Sequence, residues 1–402
     1  MKRINTNCFL FIITIVFIAL GLNKGYLKSI SSELQEFANN VKYDLSGSIT
    51  SLKTVVENIS DEQISYHNIL MDINSVRENI LGTRVIIKPD TTVVKTDSGR
   101  LVIPSRKMAD HEIAEVVDRI EELKSFVEES GSHFLYCAAP VKSMYEKCPS
   151  NISNYASENM DVFLSNLHSV GVPYVDFRET LDRSELKQED YFFYTDHHWT
   201  PGSGLAATKG ICEKLNRLYG FDYNKEYVDY KNYNITLLKK WFLGSYGKKV
   251  GCFFSWHGPD DFEVIIPSFE TDMIEEDPLF GTRKGSFENT VLFKERLEKN
   301  YYTQNTYAAY SYANFHLQIM KNNLLHNGKK ILLIRDSFAC VVAPFLSLQT
   351  KELDICDMRD YVEGNRLNLK EYIAKTNPDY VIVLFSGVGN VHYSAGQYDF
   401  LT

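Results

Sequence analysis

An Asp-His-His-Trp tetrapeptide at positions 196–199 constrains this chain of 402 residues more than any other feature. An aromatic run at 191–194 precedes it and predicts a short strand. Thr200 and Pro201 follow it and predict the N-cap and the first residue of a helix. The tetrapeptide is therefore expected in a turn between strand and helix, at the edge of the sheet where α/β folds bind ligands.

The two-residue spacing of Asp196 and His198 predicts how their side chains meet. If the turn is extended, alternate side chains face the same way, so that Asp196 and His198 point together and His197 points away. We therefore expect Asp196 to orient the imidazole and His198 to act as a general base.

A serine in a matching position occurs later in the chain. The continuous apolar run at 330–334 predicts a strand buried on both faces, as in a parallel sheet, and a helical segment follows at 338–343. Ser337 lies between them, where backbone N–H groups of a helix start could stabilise an oxyanion. Together with Asp196 and His198 it completes the groups required for acyl transfer by an activated serine.

Other interpretations of these residues stay open. The tetrapeptide could be a helix cap beside structural histidines, or a zinc site, since His and Asp are zinc ligands. A manganese phosphoesterase of the Asp-His-His type would need Asp-rich motifs downstream, and none is present. Asp336 or Ser337 could be a plain N-cap. Cys340 could be a thiol nucleophile, although a small buried side chain is the more ordinary role.

Together, the tetrapeptide, the Arg-Asp-Ser-Phe turn at 335–338 and the Asp-Met-Arg-Asp-Tyr segment at 357–361 resemble the DHHW family of bacterial surface proteins. That family is related to the AlgX/AlgJ-type alginate O-acetylation proteins of the SGNH-hydrolase superfamily. The resemblance covers residues 85–400. It implies an extracytoplasmic serine-dependent O-acetyltransferase or acetylesterase that modifies a cell-surface or exopolysaccharide without a metal or cofactor. The acyl donor is then supplied through a membrane-bound O-acyltransferase, and the catalytic roles fall on Asp196, His198 and Ser337.

The order of these residues along the chain predicts a circular permutation, because ordinary SGNH hydrolases place the serine first. The expected fold is α/β, an SGNH-hydrolase-like parallel sheet with helices on both faces. Its strands are predicted at 132–137, 172–177, 330–334, 352–356 and 379–385.

Further residues are weaker candidates for the site. The Gly-rich turn at 386–390 partly resembles the Gly-x-Asn-Asp block of SGNH enzymes, so Asn390 is a candidate oxyanion donor. Lys142, Trp199 and Tyr246 are candidate contacts with substrate. The aromatics proposed for glycan contact are Trp241, Tyr246 and Trp256.

The chain divides into regions of different composition. Residues 1–24 contain Lys2-Arg3 and an apolar run at 8–22, which predict an uncleaved membrane anchor with its N-terminus inside or, alternatively, a cleaved signal peptide. Residues 25–82 carry apolar side chains at three- and four-residue spacings and predict a helical stalk or, alternatively, a helix folded back on the main domain. Residues 83–402 are expected to form the catalytic domain, with a β-rich insertion at 222–328 over the sheet edge.

Charge and cysteine content bound the remaining functions. The net charge of −9, with no basic block, argues against nucleic acid as a partner. Of the cysteines after residue 24, most are expected to be free buried thiols, with Cys137–Cys148 the most plausible bridge. The alternative to an enzyme is a non-catalytic glycan-binding or scaffold protein of a polysaccharide modification or secretion complex, built on a degenerate hydrolase fold.

Overall fold

The computed structural model describes residues 64–401 with gaps at 90, 312–314, 326–327, 360–366 and 389–394. The predicted anchor, the stalk up to residue 63 and Asn390 lie outside the described residues. Within the described ranges, no helix has the length and apolar character needed to cross a membrane. The chain divides into two compact units, Met1–Met71 and Asp72–Thr402. The features described below belong to the second unit, except for the first residues of the helix Ile64–Ile80.

The described part of the chain alternates helices and strands. The helices are α1 Ile64–Ile80, α2 Asp110–Glu129, α3 Ala156–Ser169, α4 Phe177–Asp182, α5 Pro201–Tyr219, α6 Ser245–Val250, α7 Phe287–Thr290, α8 Ala343–Ser347 and α9 Leu369–Thr376. The strands are β1 Val85–Lys88, β2 Thr91–Lys95, β3 Leu101–Val102, β4 His133–Ala139, β5 Tyr174–Asp176, β6 Tyr233–Phe242, β7 Asp260–Pro267, β8 Met273–Asp277, β9 Gly281–Gly285, β10 Gln318–Asn322, β11 Lys330–Arg335, β12 Glu352–Cys356 and β13 Tyr380–Ser386.

The central sheet has eight strands in the order β5-β4-β13-β11-β12-β10-β8-β9. The first five of these are parallel, and β10, β8 and β9 extend them as antiparallel strands. All five strands predicted for the parallel sheet are present, within two residues of their expected bounds. The predicted α/β class is confirmed.

The sheet is covered on both faces because side chains of β11 alternate between two cores. Ile331 and Leu333 belong to the hydrophobic cluster that contains α5 residues such as Leu205. Leu332 and Ile334 belong to the opposite cluster, which contains residues of α2, α3 and α9. This two-residue alternation explains the uninterrupted apolar run, since every side chain of such a strand is buried.

The region 222–328 is divided between two sheets. Strands β6 and β7 form a separate two-stranded antiparallel sheet. Strands β8, β9 and β10 instead continue the central sheet, so this part of the region is not a cover over its edge as expected from the sequence. The preceding strands β1, β2 and β3, at the predicted β-rich positions after residue 83, form a third small sheet.

The cysteines of the described residues are free thiols, and all but the half-buried Cys148 are buried. The bridge between Cys137 and Cys148 that was considered from the sequence is therefore not formed. Cys137 lies in the buried strand β4, where a thiol acts as a small apolar side chain.

Candidate active site

Ser337 follows β11 at the carboxyl edge of the parallel sheet. Asp336 caps the 3₁₀-helix Ser337–Val341 by accepting the Phe338 backbone N–H on Oδ1 at 2.9 Å. Its Oδ2 accepts both the backbone N–H and the hydroxyl of Ser386, each at 2.7 Å. The carboxylate of Asp336 thus joins the ends of neighbouring strands β11 and β13 and fixes the position of Ser337.

The Asp-His-His-Trp turn is closed by backbone contacts on both sides. Phe192 and Trp199 form an isolated antiparallel bridge, so the strand predicted at 191–194 is reduced to this one pair. Helix α5 begins at Pro201, and the Thr200 hydroxyl accepts the Ser203 N–H, as the sequence predicted.

The residues predicted to act together lie in one chain of hydrogen bonds. His198 Nε2 is 2.7 Å from Ser337 Oγ, and His198 Nδ1 is 2.5 Å from Asp196 Oδ1. If the ring proton is on Nδ1, it forms the hydrogen bond to the Asp196 carboxylate, and Nε2 carries no proton. Nε2 can then accept the Ser337 hydroxyl proton. This is the tautomer that a general base next to a serine requires.

Trp199 joins the two turns that carry these residues. Its indole Nε1 donates to the Phe338 carbonyl oxygen at 2.8 Å, and its side chain has no exposed surface. Close to it, Gly204 of α5 packs against Val341, where an added Cβ would be 2.2 Å from the Val341 carbonyl oxygen. Trp199 is therefore part of the support of the site, which corrects its assignment as a contact with substrate.

The Asp196 carboxylate is held in its ionised form by its surroundings. Burial alone would raise the pKa of Asp196, but His197, His198 and the hydrogen bonds from His198 and the Ser245 N–H hold it well below its ordinary value. The Ser245 N–H donates to Oδ2 at 2.6 Å from the start of α6. Glycine is required before it, because a Cβ at Gly244 would lie 2.2 Å from the Asp196 Cβ.

His197 does not point away from the site, contrary to the expectation from an extended turn. Its ring lies beside the His198 ring, with centroids 3.6 Å apart, and its Nδ1 is 2.8 Å from Ser245 Oγ. The chain bends through 194–198 instead of running straight, so consecutive side chains are not on opposite sides.

The zinc interpretation can be compared with this geometry. Asp196, His197 and His198 could each offer one ligand atom to a metal ion, all within 4.8 Å of one another. Both ring nitrogens of His198 are, however, engaged with Asp196 and Ser337, and the Asp196 Oδ2 accepts the Ser245 N–H. The arrangement of donors and acceptors fits proton transfer better than coordination.

Tyr307 is a site residue that the sequence analysis missed. Its ring stacks on the His198 imidazole with centroids 3.9 Å apart and an interplanar angle of 11°, and its hydroxyl donates to the Phe338 carbonyl at 3.2 Å. Burial raises its pKa well above the usual range, so the phenol stays neutral. Nothing in the Tyr-rich stretch around it distinguishes this tyrosine in the sequence, because the stack joins segments far apart in the chain.

Lys142 and Asp260 hold the turn through its backbone: Lys142 binds carbonyl oxygens, and Asp260 binds N–H groups. The buried Lys142 ammonium donates to the carbonyl oxygens of Phe193, Tyr194 and Asp196, at 2.9, 3.0 and 2.5 Å. Asp260 accepts the N–H groups of Tyr194 and Thr195. Burial lowers the pKa of Lys142 and raises that of Asp260. An ammonium has three N–H donors, so Lys142 has none left for substrate, and its assignment as a substrate contact is corrected.

We expect Lys142→Met to lower kcat by about 10²-fold and to leave KM nearly unchanged, because the loss shifts the turn that carries Asp196 rather than removing a substrate contact. Steady-state kinetics on a small acetyl ester measure both constants. Lys209→Met, an exposed lysine of α5, is the matched control. A rise in KM at constant kcat would instead restore the role of Lys142 in binding.

The aromatic side chains proposed for glycan contact have different environments. Tyr246 is buried in a small cluster with Val93, Leu101 and Phe254, which corrects its assignment to the substrate surface. Trp241 is partly buried and donates its indole N–H to the Leu297 carbonyl oxygen. Trp256 is 56% exposed and stays a candidate for contact with a sugar.

Comparison with known proteins defines the class of this domain. Residues 102–286 match the family model described as "SGNH hydrolase-like domain, acetyltransferase AlgX". Among curated proteins, no sequence matches this chain. The structure of Bacillus cereus PatB1 with a sulfonyl adduct is 21% identical with a TM-score of 0.61, and the match covers 77% of this chain and 100% of PatB1. A DHHW family protein from Eubacterium siraeum is 17% identical with a TM-score of 0.59, and the match covers 79% of this chain and 98% of that protein.

At 21% and 17% identity, the two solved structures show a shared fold and no more. The similarity to a named family rests on the family model. Residues 102–286 are thus similar to the SGNH hydrolase-like domain of AlgX-type acetyltransferases. The resemblance to the DHHW and AlgX-type proteins that was predicted from its motifs is confirmed.

Proposed function

We propose that this protein is an extracytoplasmic O-acetyltransferase or acetylesterase that acts on a cell-surface polysaccharide through an acyl-serine. The observation that carries the proposal is the continuous chain of hydrogen bonds from Asp196 through His198 to Ser337. The match to an SGNH hydrolase-like acetyltransferase domain supports the same class of chemistry.

The first half-reaction follows from the hydrogen bonds. His198 Nε2 takes the proton from Ser337 Oγ as that oxygen attacks the carbonyl carbon of an acetyl ester. Asp196 accepts the Nδ1–H and stabilises the imidazolium that forms. Collapse of the tetrahedral intermediate releases the donor alcohol, which takes the proton back from His198, and leaves the acetyl group on Ser337.

The oxyanion of that intermediate needs N–H donors close to Ser337. Within the described ranges, the Ser337 backbone N–H donates no hydrogen bond, whereas the next N–H, of Phe338, is taken by Asp336. We assign the Ser337 N–H as an oxyanion donor on this basis. Asn390 stays a proposal as the second donor.

In the second half-reaction, His198 Nε2 takes a proton from a sugar hydroxyl or from water as that oxygen attacks the carbonyl carbon of the acetyl-serine. The tetrahedral intermediate then expels the Ser337 oxygen, which takes the proton back from His198, and the acetyl group stays on the acceptor. A sugar acceptor makes the protein a transferase, and water makes it an esterase. The half-buried position of Ser337 allows an acceptor to reach the acyl group. The polysaccharide substrate, the membrane-bound acyl donor and the membrane attachment of residues 1–24 belong to the proposal and follow from the resemblance and the sequence.

The proposal is tested with the full chain, a small activated acetyl ester and an aryl sulfonyl fluoride that labels activated serines. The choice of probe follows PatB1, whose structure holds a sulfonyl adduct. We expect ester turnover, and mass spectrometry of the labelled chain should place the sulfonyl group on the peptide that contains Ser337. Oligosaccharide acceptors added to the assay distinguish transfer from hydrolysis. Absence of both turnover and labelling would favour the non-catalytic glycan-binding or scaffold alternative.

A further inference from the structure

The imidazole of His198 is enclosed between two other rings. The Tyr307 ring lies 3.9 Å from it, centroid to centroid, at an interplanar angle of 11°, and the His197 ring lies 3.6 Å from it at 38°. Rings whose centroids are this close cannot lie side by side in one plane, so each of the two covers a face of the imidazole. They cannot share a face, because they would then overlap. His198 is therefore stacked between Tyr307 on one face and His197 on the other.

This enclosure leaves little water to solvate a charge on His198. The residue is 6% exposed, and both of its ring nitrogens are engaged, Nδ1 with Asp196 and Nε2 with Ser337. The proposed reaction nevertheless needs a positive charge there, since the imidazole becomes an imidazolium when it takes the Ser337 proton. A charge that forms away from water must be stabilised by the groups that surround it.

Tyr307 offers the negative face of its aromatic ring to that charge. A cation within about 6 Å of a ring centroid is attracted by the quadrupole of the ring, and more strongly where water is excluded. Tyr307 is 2% exposed, and its hydroxyl donates to the Phe338 carbonyl oxygen, which also accepts the Trp199 indole N–H. The ring is thus fixed to the segment that carries Ser337, in the position where the charge develops.

The ring on the other face has the opposite effect once it is charged. His197 Nδ1 is 2.8 Å from Ser245 Oγ and 3.6 Å from Asp196 Oδ1. A proton that made His197 positive would repel the imidazolium of His198 across 3.6 Å. The stabilising face is therefore that of Tyr307. The titratable and charged groups around the three rings are Asp196 on the turn, Asp336 and Cys340 after β11, Tyr246 and Lys248 on α6, and Lys142.

We propose that Tyr307 is a positioning residue of the proposed reaction, which stabilises the imidazolium form of His198 through the face of its ring and holds the imidazole in line with Ser337. The inference rests on the proposed acyl-serine chemistry, because that chemistry is what charges His198. Tyr307 itself forms and breaks no bond. Its phenol keeps its proton, and the charge it stabilises disappears when His198 gives its proton to the leaving oxygen.

The test compares three replacements at position 307 in the full chain, with kcat and the pH dependence of kcat/KM for a small acetyl ester as readouts. Tyr307→Phe keeps the ring and should retain kcat within about threefold. Tyr307→Leu removes the ring and should lower kcat roughly 10- to 30-fold. Trifluorophenylalanine at the same position keeps the shape of the ring but withdraws electron density from its face, so its kcat should fall between those of the other two variants.

The pH profile separates the stabilisation of a charge from a loss of packing. The value of kcat/KM falls at acid pH as the base becomes protonated. Loss of a ring that stabilises the protonated form should move the midpoint of this fall to lower pH, by about half a unit to one unit. A merely structural role predicts the opposite sign, because a loosened site admits water, which favours the charged imidazole. An unchanged or higher midpoint with Tyr307→Leu or with trifluorophenylalanine would overturn the inference, and the second variant decides if the first does not fold.

Tyr310→Leu is the matched control. It removes a buried ring from the same 3₁₀-helix, Thr306–Tyr310, and the contacts of that ring include Phe262 and Phe345. Its acid midpoint should stay at the wild-type pH, and a shift equal to that of Tyr307→Leu would overturn the inference. A wild-type chain that neither turns over the ester nor takes up the sulfonyl label would contradict the proposed function and the inference with it. An active wild type with an unaltered trifluorophenylalanine variant would contradict the role of Tyr307 alone.

Discussion

Ser337→Ala is expected to reduce turnover of a small acetyl ester by on the order of 10³-fold or more. Alanine removes the hydroxyl that is hydrogen-bonded to His198 Nε2. Without it no oxygen at position 337 can attack the carbonyl carbon, and no acyl-serine can form. The backbone of the turn should be unaffected, since its position depends on the Asp336 carboxylate and not on the serine hydroxyl. The measurement is kcat/KM for wild type and variant under identical conditions.

Cys340→Ala is the matched control for Ser337→Ala. It removes the nearest candidate thiol nucleophile, whose pKa is raised by burial and which is therefore poorly suited to nucleophilic attack. We expect this variant to retain activity within about threefold and to be labelled by the sulfonyl probe, as wild type is. Equal turnover by wild type and Ser337→Ala would show that the serine is not the nucleophile.

Asp196→Asn is expected to cost on the order of 10³- to 10⁴-fold in kcat, which is the second large effect. The carboxylate faces hydrogen-bond donors on both oxygens: Oδ1 faces the ring Nδ1 and the backbone N–H of His198, and Oδ2 faces the Ser245 N–H. The amide NH₂ of asparagine would oppose a donor in either orientation. The His198 ring then loses the partner that keeps the proton on Nδ1, and Nε2 is no longer the base.

The same residue gives a pH dependence that a merely steric role would not produce. The pKa of Asp196 lies below its ordinary value of 3.8 in the folded chain, so between that value and the lower folded pKa the unfolded chain binds more protons. The stability that this carboxylate contributes is therefore complete above about pH 4 and is lost as the pH falls further. Denaturant unfolding of wild type between pH 5 and pH 2 should show this loss, and Asp196→Asn should lack it. Parallel pH curves for the two proteins would contradict the assignment of an ionised Asp196.

The components of the site could be predicted from the sequence to different degrees. Asp196, His198 and Ser337 were predicted because a turn motif and a buried apolar strand mark the places where functional side chains leave a parallel sheet. Lys142 was assigned to substrate because the resemblance places its turn near the site, and the sequence gives no indication that three carbonyl oxygens surround it. Trp199 and Tyr246 were also assigned to substrate, although both are buried.

The supporting residues lie beyond what local patterns can indicate. Tyr307 reaches His198, and Asp260 reaches the turn at Tyr194 and Thr195, across contacts that no spacing along the chain encodes. Gly244 belongs to a turn-rich segment, but only the approach of Asp196 to within 2.2 Å of an added Cβ explains why glycine is needed there.

By itself, the sequence determined the α/β class and the parallel strands, and it predicted the carboxylate, the base and the hydroxyl of the proposed triad, because periodicity, caps and strand ends are properties of short segments. Tertiary structure alone decided that His198 lies 2.7 Å from Ser337, that His197 stacks beside it, and that β8, β9 and β10 extend the sheet instead of covering it. The physical reason is that these positions depend on many weak contacts between segments far apart in the chain. No short stretch of the sequence contains both partners of such contacts.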